Sequence, residues 1–138
     1  MLSFTRSLSS DSEAFAIFIN DKFNFNDKRN VLSEEVKKKI NSYLGILKDK
    51  KNEEEISSLD ISNKKKCFII KVKKKYETYY PGERGGVFYS YLKNFKSINK
   101  VDIYIDSLDL EKENMSNFFS DFIFGLSLKS YNFDIYKT

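Results

Sequence analysis

Residues 14–19 read Ala14-Phe15-Ala16-Ile17-Phe18-Ile19, an unbroken apolar run of strand length. A strand with one exposed face alternates apolar and polar residues, whereas a strand buried on both faces is apolar throughout. The run therefore predicts a central strand in a sheet that is covered on both sides. A second run, Cys67-Phe68-Ile69-Ile70-Lys71-Val72, predicts another strand of the same kind.

Further strands and helices are predicted on either side of these two runs. Ser33 is a good N-cap for a helix whose apolar residues recur at helical spacing from Val36 to Leu47. Pro81-Gly82 predicts a turn, and residues 87–95 and 118–126 predict two more helices, the last capped by Asn114 or Ser116. Weaker strands are predicted at residues 2–7, 56–61 and 101–105. The order β-β-α-β-β-α-β-α indicates a three-layer α/β/α fold with a mainly parallel or mixed sheet.

Composition limits the class of protein. The 138 residues suit one domain, and no segment rich in Gly, Pro or Ser divides them. Cys67 is the one cysteine, so the chain cannot form an internal disulfide, and we expect a reducing, cytoplasmic setting. No apolar run approaches the roughly 20 residues that span a membrane, so we expect no membrane contact.

The sequence contains few candidates for catalytic groups. It has no His, which excludes a histidine base or a histidine metal ligand. Cys67 lies within an apolar strand and is predicted to be a buried, unreactive thiol. The run Glu53-Glu54-Glu55 is predicted to be a solvated loop. Asp102, Asp106 and Asp109 lie around one strand end and are a weak candidate for a cation site.

Three glycines open the predicted second helix, in the pattern Gly82-x-x-Gly85-Gly86. Backbone N–H groups at such a helix end could bind an anion, which makes Gly82, Gly85 and Gly86 weak candidates for an anion site. The neighbouring Glu83 would repel an anion, and the dinucleotide fingerprint is absent. Close packing of the helix on the sheet is the favoured interpretation.

Lysine runs are the one signal for nucleic acid. The net charge of +4 is mildly basic and permits this partner without requiring it. Two of the runs, at residues 64–66 and 73–75, flank opposite ends of one predicted strand, and the third, at residues 37–39, lies on the first helix. The separation of the two strand-end runs argues against one continuous patch unless the first helix bridges them, so nucleic-acid binding is the less favoured alternative.

The end of the chain carries the most specific motif. It runs from Gly125-Leu126-Ser127-Leu128 to the tail Tyr131-Asn132-Phe133-Asp134-Ile135-Tyr136-Lys137. This pattern resembles the end of the N-terminal domain of the leucyl (cytosol) aminopeptidase family. Phe68-Ile69-Ile70, followed by Glu83-Arg84-Gly85-Gly86, is similar to that family's central strand and following helix. The family's Gly-x-Gly-Lys turn is absent, and Lys71-Val72-Lys73-Lys74-Lys75 stands in its position.

This resemblance implies that residues 1–138 form one non-catalytic N-terminal domain of a larger metalloexopeptidase, whose catalytic domain would follow Thr138. The segment would hold no cofactor, and two divalent metal ions, zinc or manganese, would bind in the catalytic domain. The partners would be that domain, peptide substrates and the other subunits of a homohexamer, with the isolated segment monomeric. The tail is predicted to form a strap that packs back on the domain. If exposed, it would dock on the catalytic domain through Tyr131, Phe133, Asp134, Tyr136 and Lys137.

The resemblance also implies a macro-domain-like fold, because the family's N-terminal domain resembles macro domains, which bind ADP-ribose. The alternative function is therefore a standalone binding module for ADP-ribose-like nucleotides or for the nucleic-acid backbone.

Overall fold

The computed structural model describes residues 3–6, 8–9, 11–50, 54–108, 110 and 112–137. They divide into two compact units, Met1–Lys74 with Ile98–Asp109 and Lys75–Ser97 with Leu110–Thr138. The elements in chain order are β1 (Ser3–Thr5), β2 (Ala14–Ile19), α1 (Glu34–Asp49), β3 (Ile56–Ser62), β4 (Lys65–Lys71), α2 (Tyr80–Leu92), β5 (Lys100–Tyr104), a 3₁₀ helix (Ile105–Ser107) and α3 (Lys112–Lys137). This order is the predicted one.

The first unit is built on a five-stranded sheet in the order β1-β5-β2-β4-β3. β2 pairs in parallel with β4 on one side and with β5 on the other, and β1 pairs in parallel with β5. β3 is antiparallel to β4 and forms the far edge. All six residues of β2 are buried, as its apolar sequence predicts, and the sheet is mixed but mainly parallel.

One face of the sheet packs against α1. Ser33 caps this helix, since its Oγ accepts a hydrogen bond of 3.2 Å from the N–H of Val36. Side chains from β2, β3, β4, β5 and α1, together with the residue before the cap, form one apolar cluster: Phe15, Ile17, Ile19, Leu32, Ile40, Leu44, Leu47, Ile61, Cys67, Ile69 and Tyr104.

The buried carboxylate of Asp102 joins three segments of the first unit. It accepts hydrogen bonds from Thr5 Oγ1 of β1, from the N–H of Ser9 at 2.7 Å and from Ser12 Oγ at 2.7 Å. Burial alone would raise the pKa of Asp102, but these hydrogen bonds outweigh it and hold the pKa below its ordinary value. Asp102 is thus a structural carboxylate that fixes β1 and the turn before β2 onto β5.

The second unit consists of α2 and α3, whose backbones come into direct contact at glycines. A Cβ added to Gly85 would lie 1.9 Å from the carbonyl oxygen of Phe122, and one added to Gly125 would lie 2.0 Å from that of Gly82. Phe88 and Phe122 also pack here, with ring centroids 6.0 Å apart. Gly85 and Gly125 therefore allow one helix to pack closely on the other. The sequence instead predicts that glycines in α2 allow close packing of that helix on the sheet.

Two local predictions in this unit are wrong. Pro81 and Gly82 belong to the first turn of α2, where a missing proline N–H costs nothing because helix starts leave N–H groups unbonded. The backbone of residues 131–137 continues α3 where a strap was predicted. No Gly or Pro interrupts that stretch, and extending an existing helix adds one hydrogen bond per residue.

Replacing Asp102 tests its role as a structural carboxylate. We expect Asp102→Asn to lower the free energy of unfolding at pH 7 by about 2 kcal/mol, because an amide cannot accept from all its donors. The folded pKa lies below the unfolded value of about 3.9, so the benefit is present above that pH and is lost as the pH falls through the folded pKa. Urea titrations from pH 7 to pH 2 should show the two proteins converging at acid pH. A difference in the free energy of unfolding that stays constant from pH 7 to pH 2 would contradict this role. Asp49→Asn, at an exposed position of α1, is the control.

Gly85 and Gly45 form a matched pair of helical glycines. We expect Gly85→Ala to destabilise the protein by about 3 kcal/mol, because the new methyl group would overlap the backbone of α3. A Cβ on Gly45 meets no atom within 4 Å, so Gly45→Ala should stabilise α1 by about 1 kcal/mol. Chemical denaturation measures both changes, and equal effects would refute the close contact.

Candidate functional site

The C-terminal ends of β2 and β4 lie side by side at one edge of the sheet. After β2 the chain forms α1 and then β3 at the far edge of the sheet before β4, whereas after β4 it continues to β5 on the other side of β2. The loops that follow these adjacent parallel strands thus leave in opposite directions along the sheet. In open α/β sheets, such a divergence leaves the crevice in which ligands bind.

The loop after β2 begins with a tight turn built on Asn20. Its side-chain Oδ1 accepts hydrogen bonds of 3.0 Å from the N–H groups of Lys22 and Asn24. Its backbone accepts from the N–H of Phe23 at 3.0 Å and donates to the carbonyl of Asn24 at 2.9 Å. Phe23 is held at φ 63°, a left-handed conformation that is uncommon for a bulky residue.

Asp27 fixes the second half of this loop. Its carboxylate accepts hydrogen bonds from the N–H groups of Val31 and Leu32, at 2.9 and 3.0 Å, and from the hydroxyl of Tyr104 at the end of β5. Lys37 of α1 lies 3.2 Å away. Burial would raise the pKa of Asp27, but these partners outweigh it and hold the pKa below its ordinary value. Burial and the hydrogen bond to Asp27 raise the pKa of Tyr104.

Ser107 continues the hydrogen bonding between β2 and β5 beyond the last residue of β5. Its Oγ accepts a hydrogen bond of 2.8 Å from the N–H of Phe18 and donates one of 2.6 Å to the carbonyl of Tyr104. The carbonyl of Ser107 accepts from the N–H of Asn26 at 3.0 Å. The loops that follow β2 and β5 are therefore tied to each other and to the sheet.

A cavity of about 220 Å³ opens at this edge. Its lining residues come from the loop after β2, the segment before β3, and the end of β4 with the residues that follow it: Asp21, Glu55, Lys71, Val72 and Lys73. Two ammonium groups suit a phosphate, and two carboxylates suit hydroxyl or amino groups. Ligand pockets usually measure about 300–1,000 Å³, so this one would enclose only part of a nucleotide.

The sequence did not single out Asp21, Glu55 or Lys71 as binding residues. In the sequence, Lys71 and Lys73 belong to the segment that departs from the aminopeptidase pattern, and Lys73 also belongs to a lysine run. The signal that could have found the group is position, because each residue lies within two residues of the end of a predicted strand. This signal becomes informative only once β3 is known to run antiparallel to β4, because that direction brings the start of β3 beside the end of β4.

The glycine candidates lie elsewhere. Gly82, Gly85 and Gly86 are all within α2, and the nearest atoms that a Cβ on each would meet belong to α3. Close packing thus explains the glycine at position 85, whereas a Cβ at Gly82 or Gly86 would come no nearer than 3.5 Å or 3.8 Å to an atom of α3. An anion site at these glycines stays a prediction. The docking candidates Tyr131, Phe133, Asp134, Tyr136 and Lys137 have side chains outside the described residues.

Among the described residues, the acidic and thiol candidates do not form a site. Asp102 is enclosed by its Thr and Ser partners, whereas Asp106 lies 3.9 Å from Arg29, and Asp109 is outside the described residues. Among described side chains, no group of three His, Cys, Asp or Glu could hold a metal ion. Cys67 is fully buried, which raises the pKa of its thiol, as its apolar strand predicted.

Several lysines of the runs at residues 37–39 and 64–66 form hydrogen bonds or ion pairs within the protein. Lys65 Nζ donates to the carbonyls of Ser9 and Ser12, at 2.9 and 2.8 Å. Lys66 pairs with Asp60 at 2.7 Å, and Lys39 Nζ donates to the carbonyl of Ile61. Lysines 73–75 are exposed at the opposite end of β4. The runs at residues 64–66 and 73–75 thus lie at opposite ends of β4, as their spacing predicted.

Comparison with solved structures finds a protein of similar fold. The chain is similar to the macrodomain of DarG from Thermus aquaticus, with a TM-score of 0.61 over 92% of this chain and 91% of that one. The sequences are 12% identical, so the likeness concerns the fold alone. No protein-family model matches the sequence, and the search of curated proteins gives no match. The predicted α/β, macro-domain-like fold class is confirmed.

The resemblance to leucyl aminopeptidases is wrong. The structural match is to a macrodomain, and it leaves the peptidase and hydrolase expectations without support. The motif that suggested the family has a different role here, because Gly125 lies inside α3 and packs on Gly82. In that comparison the helix ends in the segment from Gly125 to Leu128 and the tail follows it, whereas α3 continues to Lys137. Among the residues that the structure describes, no helix is long and apolar enough to cross a membrane.

Removing the carboxylate of Asp27 should loosen the loop after β2. We expect Asp27→Ala to lower the free energy of unfolding by about 2 kcal/mol, since several donors lose their acceptor. Amide hydrogen exchange at Val31 and Leu32 should accelerate, because both N–H groups bond to this side chain. Exposed Asp21→Ala, in the same loop, is the control for exchange. Unchanged protection in Asp27→Ala would contradict the assignment.

Proposed function

We propose that this protein is a binding module for an ADP-ribose-like nucleotide, held at the C-terminal ends of β2 and β4. The observation that carries the proposal is the cavity at the point where the two loops diverge, within a fold similar to a macrodomain. Macro domains bind ADP-ribose, and a crevice at the carboxyl ends of parallel strands is where α/β folds take up nucleotides.

The lining of the cavity supports this ligand class. Lys71 and Lys73 would donate charge-assisted hydrogen bonds to the diphosphate, and Asp21 and Glu55 would accept from ribose hydroxyls. The small volume implies that one part of the nucleotide is enclosed and the rest lies against the surface.

Binding to the nucleic-acid backbone has weaker support. Such binding needs several unengaged cations along one surface, and Lys39, Lys65 and Lys66 bond within the protein. Titration with DNA at low and high salt distinguishes this alternative from the nucleotide site. Strong, salt-sensitive binding of DNA without any binding of ADP-ribose would favour the alternative.

Calorimetric titration with ADP-ribose tests the proposal. We expect the wild-type protein to bind, and Lys71→Gln or Lys73→Gln to weaken binding by about tenfold each, since each change removes a charged donor. Lys74→Gln is the matched control, because this lysine lies in the same segment but does not line the cavity. Absence of binding by the wild type, or equal effects of all three changes, would refute the proposed site.

A further inference from the structure

Lys71 and Phe23 are in contact beside the cavity. The ammonium of Lys71, the last residue of β4, lies over the Phe23 ring, 4.6 Å from its centroid. This distance is within the range of an attractive cation–π interaction. Lys71 lines the cavity, whereas Phe23 belongs to the turn after β2. The contact therefore joins the end of β4 to the loop after β2, at the point where the crevice forms.

The backbone of Phe23 is held in an unfavourable conformation. Its φ of 63° lies in the left-handed region, which Gly or Asn enters readily and a bulky side chain rarely does. The hydrogen bonds of Asn20 enclose the turn and maintain this conformation. Strain of this kind persists where the surrounding structure enforces it, and it is concentrated at functional sites.

The Phe23 ring is itself well anchored. It packs, partly buried, against the apolar cluster beneath α1, in which Phe15, Ile17 and Ile19 of β2 take part. A fixed ring restricts the long, flexible side chain of Lys71 before any ligand arrives. Lysine loses much rotamer freedom when it is immobilised on a ligand, so prior restriction increases affinity.

We propose that Phe23 is a positioning residue that holds the Lys71 ammonium ready for a phosphate group of the bound nucleotide. This inference rests on the proposed function. A hydrogen bond from an ammonium to a phosphate is stronger than a cation–π contact at a partly exposed site. The ammonium can therefore leave the ring, or turn upon it, to donate to a phosphate oxygen.

A double-mutant cycle tests the coupling between the two side chains. We expect Phe23→Leu to weaken ADP-ribose binding by about threefold to tenfold, and Phe23→Tyr, which retains the ring, to bind like the wild type. In a Lys71→Gln background, Phe23→Leu should cause no further loss. Phe25→Leu is the matched control, because Phe25 packs on the same cluster from the same loop.

An NMR measurement reports the contact without any ligand. In protein with ¹³C-labelled lysine, the ε-methylene signal of Lys71, assigned by its loss in Lys71→Gln, should be shifted by the Phe23 ring current. The shift should vanish in Phe23→Leu and persist in Phe23→Tyr and Phe25→Leu. If Phe23→Leu fails to fold, Phe23→Tyr and the wild-type signal keep the contact testable.

The outcomes separate the two proposals. If the wild type binds no ADP-ribose, the proposed function fails and the role of Phe23 in binding fails with it, even where the ring-current shift is present. If the wild type binds, but Phe23→Leu weakens binding equally with and without Lys71, Phe23 is only structural and this inference alone is overturned. Unchanged binding by Phe23→Leu would overturn it as well.

Discussion

Strand β2 must pair along both of its edges while both of its faces are buried, and this constraint governs the first unit. Its six residues have no polar side chain, so they are stable only inside a sheet. β4 and β5 supply the hydrogen bonds, and α1 covers the face that carries Phe15, Ile17 and Ile19. The strand ends where Asn20 turns the chain, and this is where the cavity begins.

Buried polar groups then fix the positions of strands and loops that the apolar core alone leaves undetermined. Apolar burial is non-directional and permits small shifts of one strand against another, whereas a buried carboxylate requires its donors at particular places. Asp102 sets the position of β1 and of the turn before β2. Asp27 and Ser107 do the same for the loops after β2 and β5. The loop after β2, which contributes Asp21 to the cavity, is thus positioned by Asp27, a group that also completes the fold.

Much of this fold was predictable from the sequence, because the deciding signals are local. The apolar run of β2, the cap at Ser33 and the alternation of strands and helices each lie within a few residues. The contact between Gly85 and Phe122 is not local, since it joins residues far apart in the chain and depends on backbone approach. Residues 131–137 continue α3 here, whereas the resemblance to aminopeptidases placed them after the end of a helix. A short motif of this kind therefore does not determine the backbone conformation.

The candidate site was less predictable for the same reason. Asp21, Glu55 and Lys71 belong to three separate segments, and they meet only because β3 runs antiparallel beside β4. Charged residues next to strand ends are common, and most of them are solvated. What distinguishes these is a shared cavity, a property of the assembled sheet that no single segment contains.

The most direct measurement is a ¹⁵N-edited NMR titration of the wild-type protein with ADP-ribose. We expect the largest changes in backbone amide shift at Asp21, Lys71, Val72 and Lys73, with α1 unaffected along its outer face. Changes concentrated at Gly82, Gly85 and Gly86 of α2 would place the anion at the start of that helix and contradict the site described here. Absence of any change at saturating ligand would contradict nucleotide binding itself.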